Sequence, residues 1–346
     1  MLSVAIIGAG RIGKKRADVV LRSRGKVVAV ADIDFGRANE LAQSVGAEAT
    51  TDCARAMNWP GVDAVIVCTP TKFHAEASIA ALNAGKHVLC EKPLGRSVEE
   101  AAKIVVAGRE ARLILKVGFN YRHMSHVRKA KELLSAGAIG PVHFMRARYG
   151  HGGRPGYERE WYADADLSGG GVLLEQGIHI FDLARFLLAE PVSVCAHMRR
   201  FFWNFPVVED NAFCMLRFSG GQTAQIHVSW TQWINIFELE FFGRDGFLCL
   251  EGRDGHYGPQ KLTWAQRKPD HSRPELQVFE FPAVDDSWDL EWQEFLSAIG
   301  TGREPSGSGE DGSRTQQLIE CAYRSAAEDS WISVPESHEI QKAASE

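Results

Sequence analysis

Short, unbroken apolar segments alternate with helical patterns through the first 120 residues, and this alternation restricts the possible folds more than any other feature of the sequence. Strands that are apolar at every position must be buried on both faces, which requires a parallel sheet covered by helices. We therefore predict a doubly wound α/β fold for this part of the chain. The predicted strands are 4–7, 27–31, 64–68, 87–90 and 113–118, and the predicted helices include 12–22, 75–83 and 98–111.

The pattern changes after residue 121, where we place the boundary between a first domain, 1–121, and a second, 122–346. Residues 192–250 contain successive strand patterns separated by glycine turns. Because no helical pattern lies between these strands, we expect them to form an antiparallel sheet, and hence an α+β domain. The helices predicted for this domain are 126–135, 171–188, 288–299 and 312–329.

Composition excludes several classes of function. The net charge of −5 argues against a nucleic-acid partner. None of the seven cysteines forms a C-x-x-C pair, so we expect reduced thiols and neither a disulfide framework nor a metal site. The chain opens directly on an apolar strand and contains no apolar segment long enough to span a bilayer, so we expect a cytoplasmic protein without membrane partners.

A glycine-rich turn follows the first predicted strand and opens the first helix. It has the G-x-G-x-x-G spacing, with Gly8, Gly10 and Gly13 as the glycines and Arg11 and Ile12 between the last two. In this context the glycines allow a tight turn and a close approach of backbone N–H groups to a pyrophosphate at the helix N-terminus. We expect these five residues to bind a dinucleotide; the alternative is a glycine turn without a ligand.

Asp32 ends the second predicted strand, 19 residues after Gly13. A carboxylate at this position accepts hydrogen bonds from both hydroxyls of an adenosine ribose and repels a 2′-phosphate. We therefore predict NAD as the cofactor, with NADP less favoured. Arg37 leaves NADP open, because an arginine there could reach a phosphate.

Three further segments combine with this turn to carry a resemblance to a known family. They are Cys-Thr-Pro-Thr-Lys-Phe-His at 68–74, Ala-Gly-Lys-His-Val-Leu-Cys-Glu-Lys-Pro at 84–93, and Gly-Gly-Gly-Val-Leu-Leu-Glu-Gln-Gly-Ile-His at 169–179. Together they resemble the Gfo/Idh/MocA family of glucose–fructose oxidoreductase and inositol dehydrogenase. The resemblance implies a Rossmann domain, then an α+β domain with a large open, mainly antiparallel sheet, and a catalytic cleft between them. It also implies a homodimer or homotetramer formed through the exposed face of that sheet.

The resemblance assigns catalytic roles to two residues. Lys92, at the end of a predicted parallel strand, would bind the substrate hydroxyl; the alternative is a surface lysine paired with Glu91. His179 would take the alcohol proton, and the alternative is a core histidine in an apolar helix. Glu175 precedes His179 by four residues, a spacing that can bring its carboxylate to the imidazole. Many family members carry Asp where this chain has Glu175, so Glu175 could face the substrate instead.

The resemblance also implies cofactor contacts. Thr69, Pro70 and His74 would border the nicotinamide, Glu91 would lie near its ribose, and Asn120 would approach the carboxamide. For His74 the alternative is a solvent-facing residue at a helix start.

The substrate contacts follow from residue chemistry, because aromatic rings cover sugar faces and an arginine fork holds an anionic group. We expect Arg122, Tyr149, Arg154, Tyr157 and Trp161 to contact the substrate. The alternative is that residues 149–157 are a packed connection to the long helix.

These inferences predict an NAD-dependent oxidoreductase acting on a secondary alcohol or ketone of a sugar, cyclitol or sugar derivative. The first alternative is an NAD-dependent glycosidase of the same fold, in which the hydride is returned and NADH does not accumulate. The second is a non-catalytic dinucleotide sensor, which the presence of both Lys92 and His179 disfavours.

Overall fold

The first sheet of the computed structural model, which describes residues 2–282 and 284–335, has six parallel strands. The strands are β1 (Ser3–Ile7), β2 (Lys26–Ala31), β3 (Glu48–Thr50), β4 (Ala64–Val67), β5 (His87–Cys90) and β6 (Leu115–Val117). Their order, β3-β2-β1-β4-β5-β6, is that of a Rossmann fold. The predicted fold class is confirmed. The sequence did not predict β3, a three-residue edge strand with only one fully buried position.

Five helices connect these strands: α1 (Arg11–Arg22), α2 (Phe35–Val45), α3 (Cys53–Met57), α4 (His74–Asn83) and α5 (Val98–Ala111). Asp34 caps α2, Asp52 caps α3 and Ser97 caps α5 through side-chain oxygens. By contrast, α1 begins after Gly10, which has no side chain to cap its first turn. The first backbone N–H groups of α1 therefore receive no side-chain acceptor from the capping position.

The second sheet has nine strands: β7 (Val142–Gly150), β8 (Pro191–Arg199), β9 (Asn211–Phe218), β10 (Thr223–Ser229), β11 (Ile236–Gly243), β12 (Gly246–Glu251), β13 (Lys261–Gln266), β14 (Gln277–Glu280) and β15 (Ile332–Ser333). Their order is β14-β13-β12-β11-β7-β10-β9-β8-β15. Every neighbouring pair is antiparallel except β7 and β10, which run parallel. The prediction of a mainly antiparallel sheet is confirmed.

The helices of this part of the chain are α6 (Ser125–Ser135), α7 (Ala165–Ser168), α8 (Ile178–Leu187), α9 (Ser287–Thr301) and α10 (Gly309–Glu328). A π-helical turn, Leu173–Gly177, precedes α8 where the sequence predicted continuous α-helix from residue 171. Helix α10 begins earlier than predicted because Ser308 and Asp311 form a capping box.

The last part of the chain returns to the first sheet. Trp292 and Phe295 of α9 pack in one cluster with Val4 and Val20, and the Trp292 indole donates to Ser23 Oγ at 2.7 Å. The sequence placed α9 in the second domain, but its apolar face completes the core beneath α1. In the described residues, no helix is long and apolar enough to cross a membrane.

Candidate active site

The glycine turn between β1 and α1 is shaped by close backbone contacts. Gly8 has φ +100°, and a Cβ there would lie 2.7 Å from the carbonyl carbon of Cys68. A Cβ on Gly13 would lie 2.0 Å from the oxygen of Gly8, whereas one on Gly10 would meet no described atom within 4 Å. Thus two glycines are required by the fold itself, and Gly10, with Arg11 and Ile12, presents open backbone at the helix start. This arrangement suits a pyrophosphate.

Asp32 lies one residue beyond β2, at the edge of this turn. Its Oδ2 accepts the backbone N–H of Ala9 at 2.8 Å, and its Oδ1 accepts that of Asp34 at 2.9 Å. A carboxylate has about four lone-pair sites, so capacity remains for ribose hydroxyls. Arg37, the possible phosphate ligand, instead pairs with Asp34, its Nε lying 3.3 Å from Asp34 Oδ2. The site therefore fits NAD better than NADP.

Lys92 and Glu175 connect the segment after β5 to the π-helical turn before α8. Lys92 Nζ donates to the Glu175 carbonyl oxygen at 2.6 Å and to its Oε1 at 2.9 Å. Burial would raise the pKa of Glu175, but the charges of Lys92, His151 and Arg11 prevail and lower it. The carboxylate is therefore ionised. Because an ammonium has three donors, one N–H of Lys92 is left for a ligand.

His179 lies one turn beyond Glu175, buried in α8. Its ring stacks on Tyr121 with centroids 3.8 Å apart and an interplanar angle of 7°. Burial, with the charges of Lys92 and Arg253, holds the pKa of His179 well below its usual range, so the imidazole is neutral. Within residues 2–282 and 284–335, no hydrogen-bond partner reaches its buried Nδ1.

The expected pairing of Glu175 with His179 is not what the structure shows. Glu175 bonds Lys92, and no bond to the imidazole is found among the described residues. The π-helical turn that carries Glu175 rotates its side chain relative to α8. The sequence left the role of Glu175 open, because many family members carry Asp at this position. It did not predict the π-helical turn, because such a turn has no reliable sequence pattern.

His74 is buried beneath the site rather than exposed on it. Its Nδ1 is 2.7 Å from the Pro93 oxygen and its Nε2 is 2.9 Å from the Thr69 oxygen. Since a carbonyl only accepts, both ring nitrogens must donate, and the ring is an imidazolium. Burial alone would lower the pKa of His74, but Cys90 and these two carbonyls raise it to about 9. His74 thus links the loop after β4 to the segment that carries Lys92.

Glu91 and Asn120 are engaged by neighbouring elements. Glu91 Oε1 accepts Arg16 Nε at 2.8 Å, and Arg16 Nη1 lies 2.6 Å from Glu291 of α9. Asn120 Nδ2 donates to Ser287 Oγ at 3.0 Å. Both predicted cofactor residues therefore lie behind the cleft and connect the first sheet to α9.

Two of the predicted substrate residues are arginines that already have carboxylate partners. Buried Arg122 pairs with Asp182 at 2.6 Å and with Asp311 at 2.8 Å. Arg154 pairs with its near neighbour Glu160 on the surface. Neither guanidinium is free for an anionic ligand.

The three aromatic residues predicted to contact the substrate differ in how far they are buried. Tyr157 is buried among the rings of Trp203, Phe205 and Trp230. Tyr149 is buried, and its hydroxyl is 2.6 Å from that of Tyr121. Trp161 is only partly buried, so it is the one of the three with a ring face not enclosed by the core.

Sequence reasoning missed Arg253, whose guanidinium carbon lies 4.4 Å from the ring centroid of Tyr257 and 5.3 Å from that of Tyr121. Nothing in its local sequence marks it, because it follows β12 in an ordinary glycine-containing loop.

Buried polar atoms without partners indicate where a ligand fits. Besides His179 Nδ1, the Thr69 hydroxyl oxygen is buried and has no hydrogen-bond partner in the described part of the chain. Such atoms are normally satisfied in native proteins. They lie past the carboxyl end of β4 and on α8, so a ligand at the end of the parallel sheet would reach both sides of the cleft.

A Rossmann sheet with a dinucleotide turn, facing a lysine and a neutral imidazole, defines a dinucleotide-dependent oxidoreductase. The chain belongs to the Gfo/Idh/MocA family. Residues 2–119 match the oxidoreductase family with an NAD-binding Rossmann fold, and residues 127–249 match the GFO/IDH/MocA C-terminal domain. The resemblance predicted from sequence and the NAD cofactor are confirmed.

Individual relatives match along most of their length. Inositol 2-dehydrogenase of Rhizobium meliloti (strain 1021) is 30% identical, covering 95% of this chain and 98% of its own. The 1,5-anhydro-D-fructose reductase of Ensifer adhaerens is 31% identical over 89% and 91%. Among solved structures, levoglucosan dehydrogenase in complex with NADH and levoglucosan has a TM-score of 0.88 at 26% identity, covering 97% and 100%.

Proposed function

We propose that this oxidoreductase transfers a hydride between nicotinamide and a secondary alcohol or ketone of a sugar, cyclitol or sugar derivative. Bound NAD supplies the hydride acceptor in one direction and, as NADH, the donor in the other. In oxidation the carbinol C–H leaves as hydride, the hydroxyl proton goes to a protein base, and a carbonyl forms. The relatives named as dehydrogenases and a reductase favour this reaction over glycoside hydrolysis.

The observation that carries the proposal is that Glu175 holds Lys92 through its carbonyl and its carboxylate, one turn before His179. Burial, together with the charge of Lys92, keeps the imidazole neutral, as a base must be before it takes a proton. In the proposed reaction, the remaining N–H of Lys92 binds the substrate oxygen and an imidazole nitrogen of His179 receives the proton.

Glu175 in this scheme is a positioning residue for the amine. Its ionised carboxylate holds the Lys92 amine in place through a charge-assisted hydrogen bond. Trp161 remains our candidate for covering a sugar face, because its ring is not closed within the core.

We also propose that the open face of the second sheet forms a subunit interface. Phe144, Phe242 and Phe247 stack at one end of this face, and Phe213 and Met215 are exposed on β9. The ion pairs Arg146–Glu240 and Arg148–Glu238 lie on the same face. Exposed apolar patches rimmed by polar residues are typical of an interface between copies.

The central test replaces Lys92 with methionine, which keeps the length of the side chain and removes the charge. We expect kcat with a sugar or cyclitol substrate to fall by about a hundred- to ten-thousand-fold, the usual contribution of positioned proton transfer, while NADH still binds. Lys103→Met, at an exposed position of α5, is the matched control and should retain activity.

Two results would contradict the proposal. One is undiminished turnover by Lys92→Met. The other is release of sugar from a glycoside by the unaltered enzyme without any increase in NADH absorbance, which is the behaviour of a glycosidase.

A further inference from the structure

The loop after β12 holds Arg253 in a defined position. The backbone N–H groups of Arg253 and Asp254 donate to the Gly258 oxygen at 3.2 and 2.8 Å. Gly252 has φ +78°, and a Cβ there would lie 2.0 Å from the Pro259 oxygen. The loop is therefore a tight turn that only glycine allows at its first position, and it does not leave Arg253 to swing freely in solvent.

The guanidinium of Arg253 is enclosed by tyrosine rings and not by carboxylates. Its central carbon lies 4.4 Å from the ring centroid of Tyr257, 5.3 Å from Tyr121 and 5.8 Å from Tyr149. Its Nε is buried and has no hydrogen-bond partner in the described ranges, where no carboxylate lies within 4.0 Å of the guanidinium. Three rings offset part of the cost of burying the charge, but the Nε–H is left unsatisfied and no anion balances the guanidinium.

The guanidinium of Arg253 and the imidazole of His179, the proposed base, contact the same side chain, that of Tyr121. Tyr121 contacts Arg253 and also stacks on His179, with centroids 3.8 Å apart. The hydroxyl of Tyr121 is engaged by Tyr149 at 2.6 Å, so the rings are held in place. Arg253 and the catalytic pair therefore belong to one cleft, and a substrate bound at Lys92 and His179 extends toward the guanidinium.

The balance of charge distinguishes Arg253, which is partly buried, from the fully buried Arg122 and Arg16. Arg122 has two carboxylate partners and Arg16 has two. Glu175, near the proposed catalytic pair, is bonded to Lys92. Arg253, close to that pair, has no carboxylate within 4.0 Å among residues 2–282 and 284–335.

We propose that Arg253 binds a carboxylate of the substrate, so that the enzyme acts on an acidic sugar and not on a neutral one. This proposal rests on the proposed function and names its substrate class. A guanidinium fork matches a carboxylate in both geometry and charge. A phosphate dianion would leave one charge uncompensated, so we favour the carboxylate.

The test compares matched acid and neutral sugars. D-Glucuronate and D-glucose, and D-galacturonate and D-galactose, are titrated by calorimetry into the enzyme saturated with NADH, with D-glucose 6-phosphate as a phosphate probe. A charge-assisted bond to a partly buried guanidinium predicts that an acid binds about ten- to a hundred-fold more tightly than its neutral partner. Arg253→Met should abolish this ratio, and Arg253→Lys should restore part of it.

The matched control is Arg267→Met, at an exposed position beyond the end of β13, which should leave the acid-to-neutral ratio unchanged. The proposal is overturned if no acid binds more tightly than its partner, if the ratio survives in Arg253→Met, or if the phosphate is preferred over both acids. Failure of NADH to bind, or full turnover by Lys92→Met, would instead count against the proposed function.

Discussion

Two groups of charged side chains lie near the proposed catalytic residues, and they differ in whether each charge has a partner of opposite sign. Behind the cleft, Arg16 is paired with Glu91 at 2.5 Å and with Glu291 at 2.6 Å. On the cleft side, Lys92 pairs with Glu175 at 2.9 Å, whereas Arg253 has no carboxylate within 4.0 Å among the described residues. We call the first group the anchoring cluster and the second the cleft cluster.

The comparison teaches that burial and charge do not by themselves mark a functional residue. A buried charge that has counter-charges within the fold holds elements together, as Arg16 of α1 holds Glu91 after β5 and Glu291 of α9. A charge without a counter-charge in the fold is a candidate for ligand binding, because leaving it so costs free energy. Catalytic and binding groups are therefore expected in the cleft cluster.

The largest expected effect breaks the anchoring cluster. Arg16→Met leaves Glu91 and Glu291 buried without a counter-charge, so we expect the free energy of unfolding to fall by about 3–5 kcal/mol. Urea denaturation measures it. Arg109→Met removes an exposed arginine, whose partner is Glu310, and should cost at most about 1 kcal/mol. Equal losses in the two variants would show that the anchoring cluster has no special role.

The next largest effect concerns His74, which, like the anchoring cluster, holds elements of the fold together. Its folded pKa of about 9 lies above that of an unfolded histidine, near 6.5. Its stabilisation is therefore fully present below the unfolded pKa and is lost as pH rises through about 9. His74→Gln should be destabilised by on the order of 2–3 kcal/mol at low pH and by much less at high pH.

Urea midpoints of the wild type and His74→Gln, followed across pH, test this prediction. His256→Gln, at an exposed position, serves as the control. A stability difference between wild type and His74→Gln that does not change with pH would mean that the imidazole is neutral in the fold.

The smallest effect sharpens the picture of the cleft cluster. Burial and the charges of Lys92 and Arg253 lower the pKa of His179. Removing one positive charge in Arg253→Met favours the imidazolium, so this pKa rises and the acid limb of kcat/KM against pH moves to higher pH. We expect roughly a two- to fivefold greater loss at the acid end of the profile. In the control Arg267→Met the acid limb should stay in place. An acid limb that also stays in place in Arg253→Met would show that the charge of Arg253 does not affect the pKa of His179.

Much of the first domain could be predicted because its signals are local. Apolar strands, the turn at Gly8, Gly10 and Gly13, Asp32 after the second predicted strand and Lys92 after the fourth are each marked by residues close to them in the sequence. Parallel strands end at one edge of a sheet, so these local signals already converge on one site. All five strands predicted for this domain begin and end within two residues of the observed ones.

The sequence by itself determined the doubly wound sheet, the dinucleotide turn, the family and the lysine and histidine proposed for catalysis. Only the tertiary structure decided which charges are already paired. Arg122 finds its partners 60 and 189 residues away, whereas Arg253 meets three rings and no carboxylate within the described residues. A guanidinium looks the same in every sequence, and its role depends on the neighbours that folding brings to it from distant parts of the chain.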